Sequence, residues 1–390
     1  MSQPTHTPSL LAPSLLAALL VTAALPATAA TFVVTSTADA GPGSLREAIV
    51  LANGAAGADV IEIQATGTIV LESPLPVLSE SVGVFGPGSH LLVIDADAGQ
   101  RHFRLGGPVG SVYQLQDLSL RNGHAESGGS VLVLANSSLD VQRCVFENNR
   151  SDSEGGAIAA YGPLQMSDTL VRGNEAPFGG GVFVRGAGHE LKRSTFALNS
   201  AQFGGGIYLD NAGELEVENS TVVGNTATTG GGGIYVSGGL AAISHVTLVD
   251  NIADSGAGLA RIGGNFTTMA NNILADNTTA GGSPANCANV TGSSGGNLSS
   301  DASCLFNEPT DLVNTDPELD ALADNGGPTP TMRPRPGSPA IDGGVFGFCA
   351  SRDQRDLTRP ESPGGDCDRG AVEIHASDHD VLFTDGFEGG

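Results

Sequence analysis

Polar and charged side chains recur at two fixed positions in the middle of the chain, each counted back from a regularly spaced asparagine. The position nine residues before the asparagine holds Asp140, Gln165, Glu190 and Glu216. The position six residues before it holds Arg143, Asp168, Arg193, Asn219 and His245. Such columns could line a polar groove for an extended glycan, or their charges could pair with one another as a ladder. The candidate glycan-contacting residues are Arg143, Asp168, Glu190, Arg193, Glu216 and His245.

No motif among these residues identifies a catalytic site. Hydrolysis of a glycosidic bond needs two carboxyl groups at a defined separation, and the polygalacturonase signature combines NTD, a DD pair, GHG and RIK. Only NTD occurs, at residues 314–316 outside the repeats, and we interpret it as a coincidence. A calcium-dependent lyase would need several Asp residues on neighbouring coils and a basic residue. Asp250 and Asp276 occupy equivalent positions one coil apart, but acidic residues beside turns are usually solvated. The catalytic residues are therefore unknown.

Composition and spacing exclude several classes of partner. The chain has 17 Lys+Arg against 42 Asp+Glu, a net charge of −25, and its one lysine is Lys192. Nucleic acid is not an expected partner, because binding phosphates needs clustered basic residues. His124, His189 and His245 lie in different repeats without the spacing of metal ligands. The sequence predicts neither a metal nor a cofactor.

The asparagines that define the two columns mark an internal repeat. They are Asn149, Asn174, Asn199, Asn225, Asn251 and Asn277, with spacings of 25, 25, 26, 26 and 26 residues. Asn122 is expected to end one further, less regular unit. Repeats of this length are typical of solenoid proteins, in which each unit packs only against its neighbours.

The pattern within each unit predicts strands. Apolar residues stand eight and three residues before each asparagine, and Gly clusters precede a second apolar strand. Alternation with period two over short runs indicates strands rather than helices. A unit of this kind cannot bury its own apolar face, so successive units must stack. A parallel β-helix with one unit per coil is the simplest solution.

The asparagine and glycine columns are predicted to be structural. Stacked asparagine side chains can bond to one another and to turn carbonyls, and glycine permits the tight turns between strands. Cys144 shares an inward column with Thr169 and Ser194, and we expect a buried thiol there.

We predict five segments along the chain. They are a signal peptide (1–30), an N-terminal strand and helix cap (31–59), the coils (60–282), a loop-rich C-terminal segment (283–375) and a tail (376–390). The apolar run of residues 15–25, followed by Pro26 and small residues, is typical of a cleaved signal. Ser44 and Glu47 form a capping box at the start of a short helix. No membrane span is expected in the mature chain.

The C-terminal segment contains four of the five cysteines. Cys287 and Cys304 are 17 residues apart, and Cys349 and Cys367 are 18 apart. Export to an oxidising compartment would favour disulfides. We predict the pairs Cys287–Cys304 and Cys349–Cys367, although four cysteines allow three connectivities.

Several stretches carry four resemblances to known families or motifs. GSLREAI at 43–49 resembles the CSLREA motif of secreted bacterial β-helix proteins. FENN…GGAI (146–158) and FALN…GGGI (196–207) resemble the repeats of polymorphic outer-membrane proteins. Residues 314–344, DQRDLTRP and CDRGAVE resemble a choice-of-anchor Q segment, and the final LFTDGFEGG is similar to a C-terminal tag of exported proteins. The resemblance implies a right-handed parallel β-helix at or outside the surface of a Gram-negative bacterium, without catalytic residues to transfer.

The resulting functional hypothesis is an exported cell-surface or extracellular β-helix protein that acts as a structural or adhesive binding module. Its expected partner is a surface or extracellular glycan, or another component of the cell envelope. The alternative is a polysaccharide lyase or glycoside hydrolase that acts on an acidic polysaccharide, because β-helices also carry such enzymes and a fold does not decide function.

Overall fold

The computed structural model of the protein describes residues 29–97, 99–210, 213–362 and 364–380. The predicted signal peptide and tail lie largely outside these residues. The chain opens with strand β1 (Thr31–Val34) and helix α1 (Leu45–Gly54). The Ser44 hydroxyl accepts a hydrogen bond from the Glu47 amide at 3.2 Å, and the Gly43 amide donates to Glu47 Oε2 at 2.6 Å. Helix α1 buries its apolar side against β1 and the strand that follows, so it covers the interior at this end.

Short strands follow one another along the coils. The first are β2 (Asp59–Ile63), β3 (Gly67–Val70), β4 (Val82–Phe85), β5 (Leu92–Asp95), β6 (Phe103–Leu105), β7 (Ser111–Gln116), β8 (Ser119–Arg121), β9 (His124–Ser127) and β10 (Val131–Val133). The next are β11 (Ser137–Gln142), β12 (Val145–Glu147), β13 (Arg150–Glu154), β14 (Ile158–Ala160), β15 (Leu164–Ser167), β16 (Leu170–Arg172), β17 (Glu175–Phe178), β18 (Val182–Val184), β19 (His189–Lys192), β20 (Thr195–Ala197), β21 (Ser200–Phe203) and β22 (Ile207–Leu209). The last are β23 (Glu214–Val223), β24 (Thr226–Gly230), β25 (Ile234–Val236), β26 (Leu240–Val249), β27 (Leu259–Arg261), β28 (Asn265–Ala270), β29 (Ile273–Ala275), β30 (Cys287–Ala288), β31 (Leu298–Ser299) and β32 (Leu312–Val313).

Strands in equivalent positions pair in parallel and form three sheets. The first sheet contains 19 strands. Two consecutive strands of a coil that are separated by a bend, such as β11 and β12, both belong to it. The second sheet consists of β6, β10, β14, β18, β22, β25, β27 and β30, and the third of β9, β13, β17, β21 and β24. Consecutive coils keep their register, so that Val141 pairs with Met166 and Met166 with Leu191. The fold is the predicted all-β, right-handed parallel β-helix, with about 10 turns.

The repeated apolar positions form the interior. The following side chains are at most 2% exposed: Val141, Met166, Leu191, Val217, Ile243, Met269, Phe146, Val171, Phe196, Val222, Leu248 and Leu274. Burial of each such side chain contributes about 1.5–3 kcal/mol of transfer free energy. Because the coils stack, these side chains form one hydrophobic core along the rod.

The asparagines stack in a buried ladder. From Asn149 to Asn251, each side chain donates from Nδ2 to the Oδ1 of the next asparagine at 2.8–3.0 Å. Asn277 extends the ladder to Asn286 at 2.8 Å. At the other end the Gly123 amide, and not Asn122, bonds to Asn149. Asn122 precedes the ladder position by one residue and has a left-handed φ of 58°, so the expected end of that unit is shifted by one.

The cysteines pair as predicted. Disulfides join Cys287 to Cys304 and Cys349 to Cys367, with Cα atoms 4.9 and 6.0 Å apart. Cys144 is free and 1% exposed, and burial raises the pKa of its thiol to about 12. A thiol with such a pKa is protonated at neutral pH and serves as a small apolar side chain.

The loop-rich C-terminal segment has two parts. Residues 283–313 add β30, β31 and β32 to the stack. Residues 314–378, which we call the strap, run back along the outside of the first sheet. They contain a 3-10 turn (Phe346–Phe348) and the first three residues of helix α2 (Ala376–Asp380). Gln354 of the strap is fully buried and bonds to both Thr195 and Thr221. The strap therefore forms a second layer on one side of the rod.

Candidate functional site

The column nine residues before the ladder lies on the outer face of the first sheet. Asp140 pairs in register with Gln165, Gln165 with Glu190, and Glu190 with Glu216. The side chains of Glu190 and Glu216 are 43% and 40% exposed. Their neighbours along each strand point to the interior because side chains alternate in a strand. The structure therefore brings two of the candidate residues, Glu190 and Glu216, together on one open surface.

Lys192 lies at the centre of this surface, a residue that the sequence analysis did not select as a site residue. Its Nζ is 3.2 Å from Glu190 Oε2, 3.1 Å from Glu216 Oε1 and 3.6 Å from Glu218 Oε2. Burial disfavours the charged amine, but hydrogen bonds with Glu216 and Glu190 outweigh it and raise the pKa of Lys192. Lys192 is accordingly an ammonium group that holds the carboxylates in place.

Glu218 has a different environment from the exposed glutamates. Burial raises the pKa of Glu218, and the charge of Glu216 adds to this effect while Lys192 opposes it. The alternation within Glu214–Val223 places Glu214, Glu216 and Glu218 on one face. That alternation was visible in the sequence and could have identified Glu214, Glu218 and Lys192.

A shallow cavity of about 290 Å³ opens beside these glutamates. We call this region the glutamate shelf; its lining includes Glu190, Glu214, Glu216, Leu240, Ala242 and Thr267. Carboxylates form one side of the shelf, and the apolar side chains of Leu240 and Ala242 contribute to the rest. The arrangement can accept hydrogen bonds from a ligand and offers it apolar contact as well.

The column six residues before the ladder lies at the bend between the two halves of each coil. Arg143, Asp168, Arg193, Asn219 and His245 all have left-handed φ angles, between 46° and 55°. Arg143 donates two hydrogen bonds to Asp117, at 2.8 and 2.9 Å, and Arg193 donates two to Asp168 at the same distances. Three of the candidate residues thus pair within the protein, which leaves little of their charge for a ligand.

His245 does not lie on the open face, contrary to the expectation from its place in this column. It is fully buried under the strap, where its Nε2 is 3.0 Å from the Phe348 carbonyl and its Nδ1 contacts the Arg359 guanidinium. Burial, and then the charge of Arg359, hold the pKa of His245 well below its ordinary value. The strap covers the bend at this coil, so His245 anchors the strap.

The buried acidic groups of the strap are also used structurally. Asp368 accepts hydrogen bonds from the amides of Asp342 and Ile374, and burial raises its pKa to about 7. Glu373 accepts from the Asp368 amide and lies 3.2 Å from Arg359. Both carboxyl groups line a cavity of about 390 Å³ at the strap, and their bonds to main-chain amides hold its loops together.

The remaining residues considered from the sequence form no catalytic cluster. Asp250 and Asp276 lie one coil apart, and burial raises the pKa of both. The exposed Asp316 of the NTD element accepts a hydrogen bond from the Glu318 amide. Within the described residues, no group of three or more His, Cys, Asp or Glu side chains could hold a metal ion.

A stack of aromatic rings covers the outside of the second sheet, which the sequence analysis did not foresee. Phe183, Tyr208 and Tyr235 stack with centroids 5.5 and 5.3 Å apart. The rings are 2–7% exposed, because each covers the face of the next. This stack stabilises the coils but has little ring face left for a ligand.

A comparison with models of protein families agrees with the fold. The family model described as "right handed beta helix region" matches residues 129–301, which include most of the regular coils and the strands of the glutamate shelf. No curated protein matches the chain. No helix in the described part of the chain is both long and apolar enough to cross a bilayer. Among solved structures the chain is similar to a crystal structure of pectate lyase Pel9A, with a TM-score of 0.45, 14% identity, and coverage of 90% of this chain and 97% of that one.

Proposed function

We propose that this protein is an exported β-helix module that binds a glycan on the glutamate shelf without cleaving it. The two disulfides support export, since such bonds persist in oxidising compartments. A location at or outside the bacterial surface, and an adhesive or structural role there, follow from the sequence resemblance and belong to the same proposal.

The observation that carries the proposal is the exposed set of carboxylates beside an open cavity, held in place by one ammonium group. Glu190 and Glu216 are both bonded to Lys192, and their side chains remain 43% and 40% exposed. Ionised carboxylates form strong hydrogen bonds with hydroxyl donors. Repetition of these groups from coil to coil, about 4.8 Å apart, suits a polymer with regularly spaced hydroxyl groups.

The same geometry favours binding over catalysis. Proton abstraction by a lysine in a lyase needs the unprotonated amine, and a general base is most effective when its pKa lies near the working pH. The raised pKa of Lys192 keeps the amine protonated. A hydrolase needs one protonated carboxylic acid and one carboxylate across an open space, whereas Glu218 and Glu216 both lie beside the Lys192 ammonium.

Binding and turnover can be measured on the same purified protein. We would use neutral, amino-sugar and uronate polysaccharides, with calorimetry for affinity and absorbance near 235 nm and reducing ends for cleavage. Glu216→Gln is expected to weaken binding about tenfold, because a hydrogen bond to a charged group is worth about 1.5–3 kcal/mol. The matched control is Asp140→Asn, in the same column but two coils from Glu190, with an expected change within about twofold.

Cleavage would overturn this proposal in favour of the enzyme alternative. New unsaturated or reducing ends that disappear in Lys192→Ala would identify the shelf as a catalytic site. Absence of binding to every polysaccharide in the panel would refute the glycan-binding role itself.

A further inference from the structure

Two phenylalanines stand out on the surface of the strap. Phe346 is 62% exposed and Phe348 is 41% exposed. Every other phenylalanine or tyrosine in the part of the chain that the structure describes is buried or half-buried. An aromatic side chain that is left in water gives up the transfer free energy that burial would provide. Exposure of two such residues in one short turn therefore indicates a contact surface.

The turn that presents these rings is held firmly to the rod. The Val345 amide donates to Asn271 Oδ1 at 2.7 Å, and the Phe348 carbonyl lies 3.0 Å from His245 Nε2. The disulfide Cys349–Cys367 closes the turn on its other side. Because the backbone is fixed on both sides, a ligand that contacts the rings need not first order the loop.

The protein surface is open at Gly347, the residue between the two phenylalanines. A Cβ atom built on Gly347 would meet no atom within 4 Å. Apart from the two phenylalanines, no described part of the protein lies over this glycine. This arrangement contrasts with the stack on the second sheet, where Phe183, Tyr208 and Tyr235 cover the faces of one another.

The turn lies beside the glutamate shelf. His245, which contacts the Phe348 carbonyl, and Ala242, which lines the shelf, belong to the same strand, β26. Three residues of a strand span about 10 Å. A polymer that crosses the coils from Glu190 and Glu216 to Ala242 therefore comes within about 10 Å of the bend that holds the turn.

We propose that Phe346 and Phe348 form an aromatic platform for the sugar rings of a neutral polysaccharide whose hydroxyl groups bond to the shelf. This inference rests on the proposed glycan-binding function and adds the ligand class. The C–H face of a sugar ring is apolar and packs on an aromatic face, while its hydroxyl groups remain free to donate hydrogen bonds.

The negative charge of this surface favours a neutral ligand over an acidic one. Glu190, Glu216 and Glu218 surround a single ammonium group on the shelf, and the chain carries a net charge of −25. A polyuronate would meet repulsion at this surface, as would an anionic membrane. A neutral polymer meets neither, so it is the ligand that the surface fits.

The test uses the full protein, four phenylalanine variants and one control variant. Phe346→Ala and Phe348→Ala are each expected to weaken binding of a neutral polysaccharide about fivefold, and the double variant about twentyfold, with unchanged thermal stability. The variant Phe346→Leu keeps an apolar side chain but removes the aromatic face, so it should lose as much affinity as Phe346→Ala. The matched control is Leu198→Ala, a 65% exposed apolar residue on another turn, which should leave binding unchanged.

The outcomes separate this inference from the proposed function. If Glu216→Gln weakens binding and the phenylalanine variants do not, the platform is refuted and the shelf stands. If Phe346→Leu binds as well as the unmodified protein, ring stacking is refuted in favour of a general apolar contact. Tighter binding to polyuronate than to neutral polymers, or loss of binding to phosphatidylcholine vesicles in the double variant without any glycan binding, would also overturn the inference.

Discussion

The outer face of the first sheet differs between the upstream and downstream coils, although both have the same backbone. Two residues before the ladder asparagine, the upstream coils carry Glu147 and Arg172, which form an exposed ion pair at 2.6 Å. The downstream coils carry small apolar residues in register with them, namely Ala197, Val223, Val249 and Ala275, all at most 8% exposed. Met332 and Ala340 of the strap pack on this apolar set.

The difference shows that one set of residues specifies the stacking of the coils and another set specifies the contact with the strap. The inward columns are alike on both sides of the boundary, because every coil must stack on the next. The outward columns change where the strap begins. Thr195, Thr221 and Thr247 are at most 1% exposed and bond to the strap. In the described residues the strap does not cover the upstream coils, where Val145 and Leu170 take the threonine position and the charged Glu147 and Arg172 follow two residues later.

The largest expected effect comes from placing a charge under the strap. Val249→Arg puts a guanidinium group between the first sheet and the strap, where it has no partner. We expect a loss of about 3–5 kcal/mol in the free energy of unfolding, the usual cost of an uncompensated buried charge. Chemical denaturation would measure the loss, and hydrogen exchange would locate it in residues 314–378.

The reciprocal variant is the control for this comparison. Arg172→Val creates the downstream pattern on an uncovered coil, and we expect a change within about 0.5 kcal/mol. We call the upstream coils bare and the downstream coils, which lie under the strap, covered. Equal effects of the two substitutions would contradict this division.

Substitution of a buried ladder asparagine should reduce the free energy of unfolding by the same amount in both regions. Asn174 lies in a bare coil and Asn225 in a covered one, and both make the same set of ladder bonds. Substitution of either by alanine leaves main-chain groups unpaired, so each should cost about 1–3 kcal/mol. Asn148→Gly is a suitable control, because Asn148 is exposed and has a left-handed φ of 55° that glycine adopts freely. A much smaller loss for one ladder position would show that the ladder is not uniform.

The coils could be predicted from the sequence because their pattern is local. Each asparagine, apolar column and glycine cluster recurs within 26 residues, and period-two alternation fixes which side chains point inward. The strap could not be placed this way, since Gln354 contacts Thr195 across 159 residues of chain. One signal was present: the change from Glu147 and Arg172 to Ala197 and Val223 at equivalent positions.

The candidate site was only partly predictable for the same reason. Alternation placed Glu190 and Glu216 correctly on one outer face, and it could have added Lys192. Burial of His245 depends on the strap, which no repeat position reveals. Phe346 and Phe348 lie outside the repeat, so the pattern that defines the coils carries no information about them.

The smallest expected effect concerns pH and again separates the two regions. His245 has a lowered pKa in the folded protein, so the unfolded chain binds a proton first as the pH falls below about 6.5. Stability should therefore decrease on acidification, by at most about 1.4 kcal/mol per pH unit. Asp368, with a pKa of about 7, acts in the opposite direction, because the folded protein takes up its proton first. Asp368→Asn removes that opposing contribution.

The measurement is the free energy of unfolding between pH 8 and pH 5 in the Asp368→Asn background. Adding His245→Gln should flatten the dependence below pH 6.5, since glutamine does not titrate. Arg143→Gln, at the equivalent bend of a bare coil, should leave the slope unchanged because arginine stays charged throughout this range. An identical slope with and without His245 would mean that the contact between His245 and Arg359 does not control the acid sensitivity of the strap. A flattened slope would locate that sensitivity in the covered region and leave the bare coils insensitive to pH.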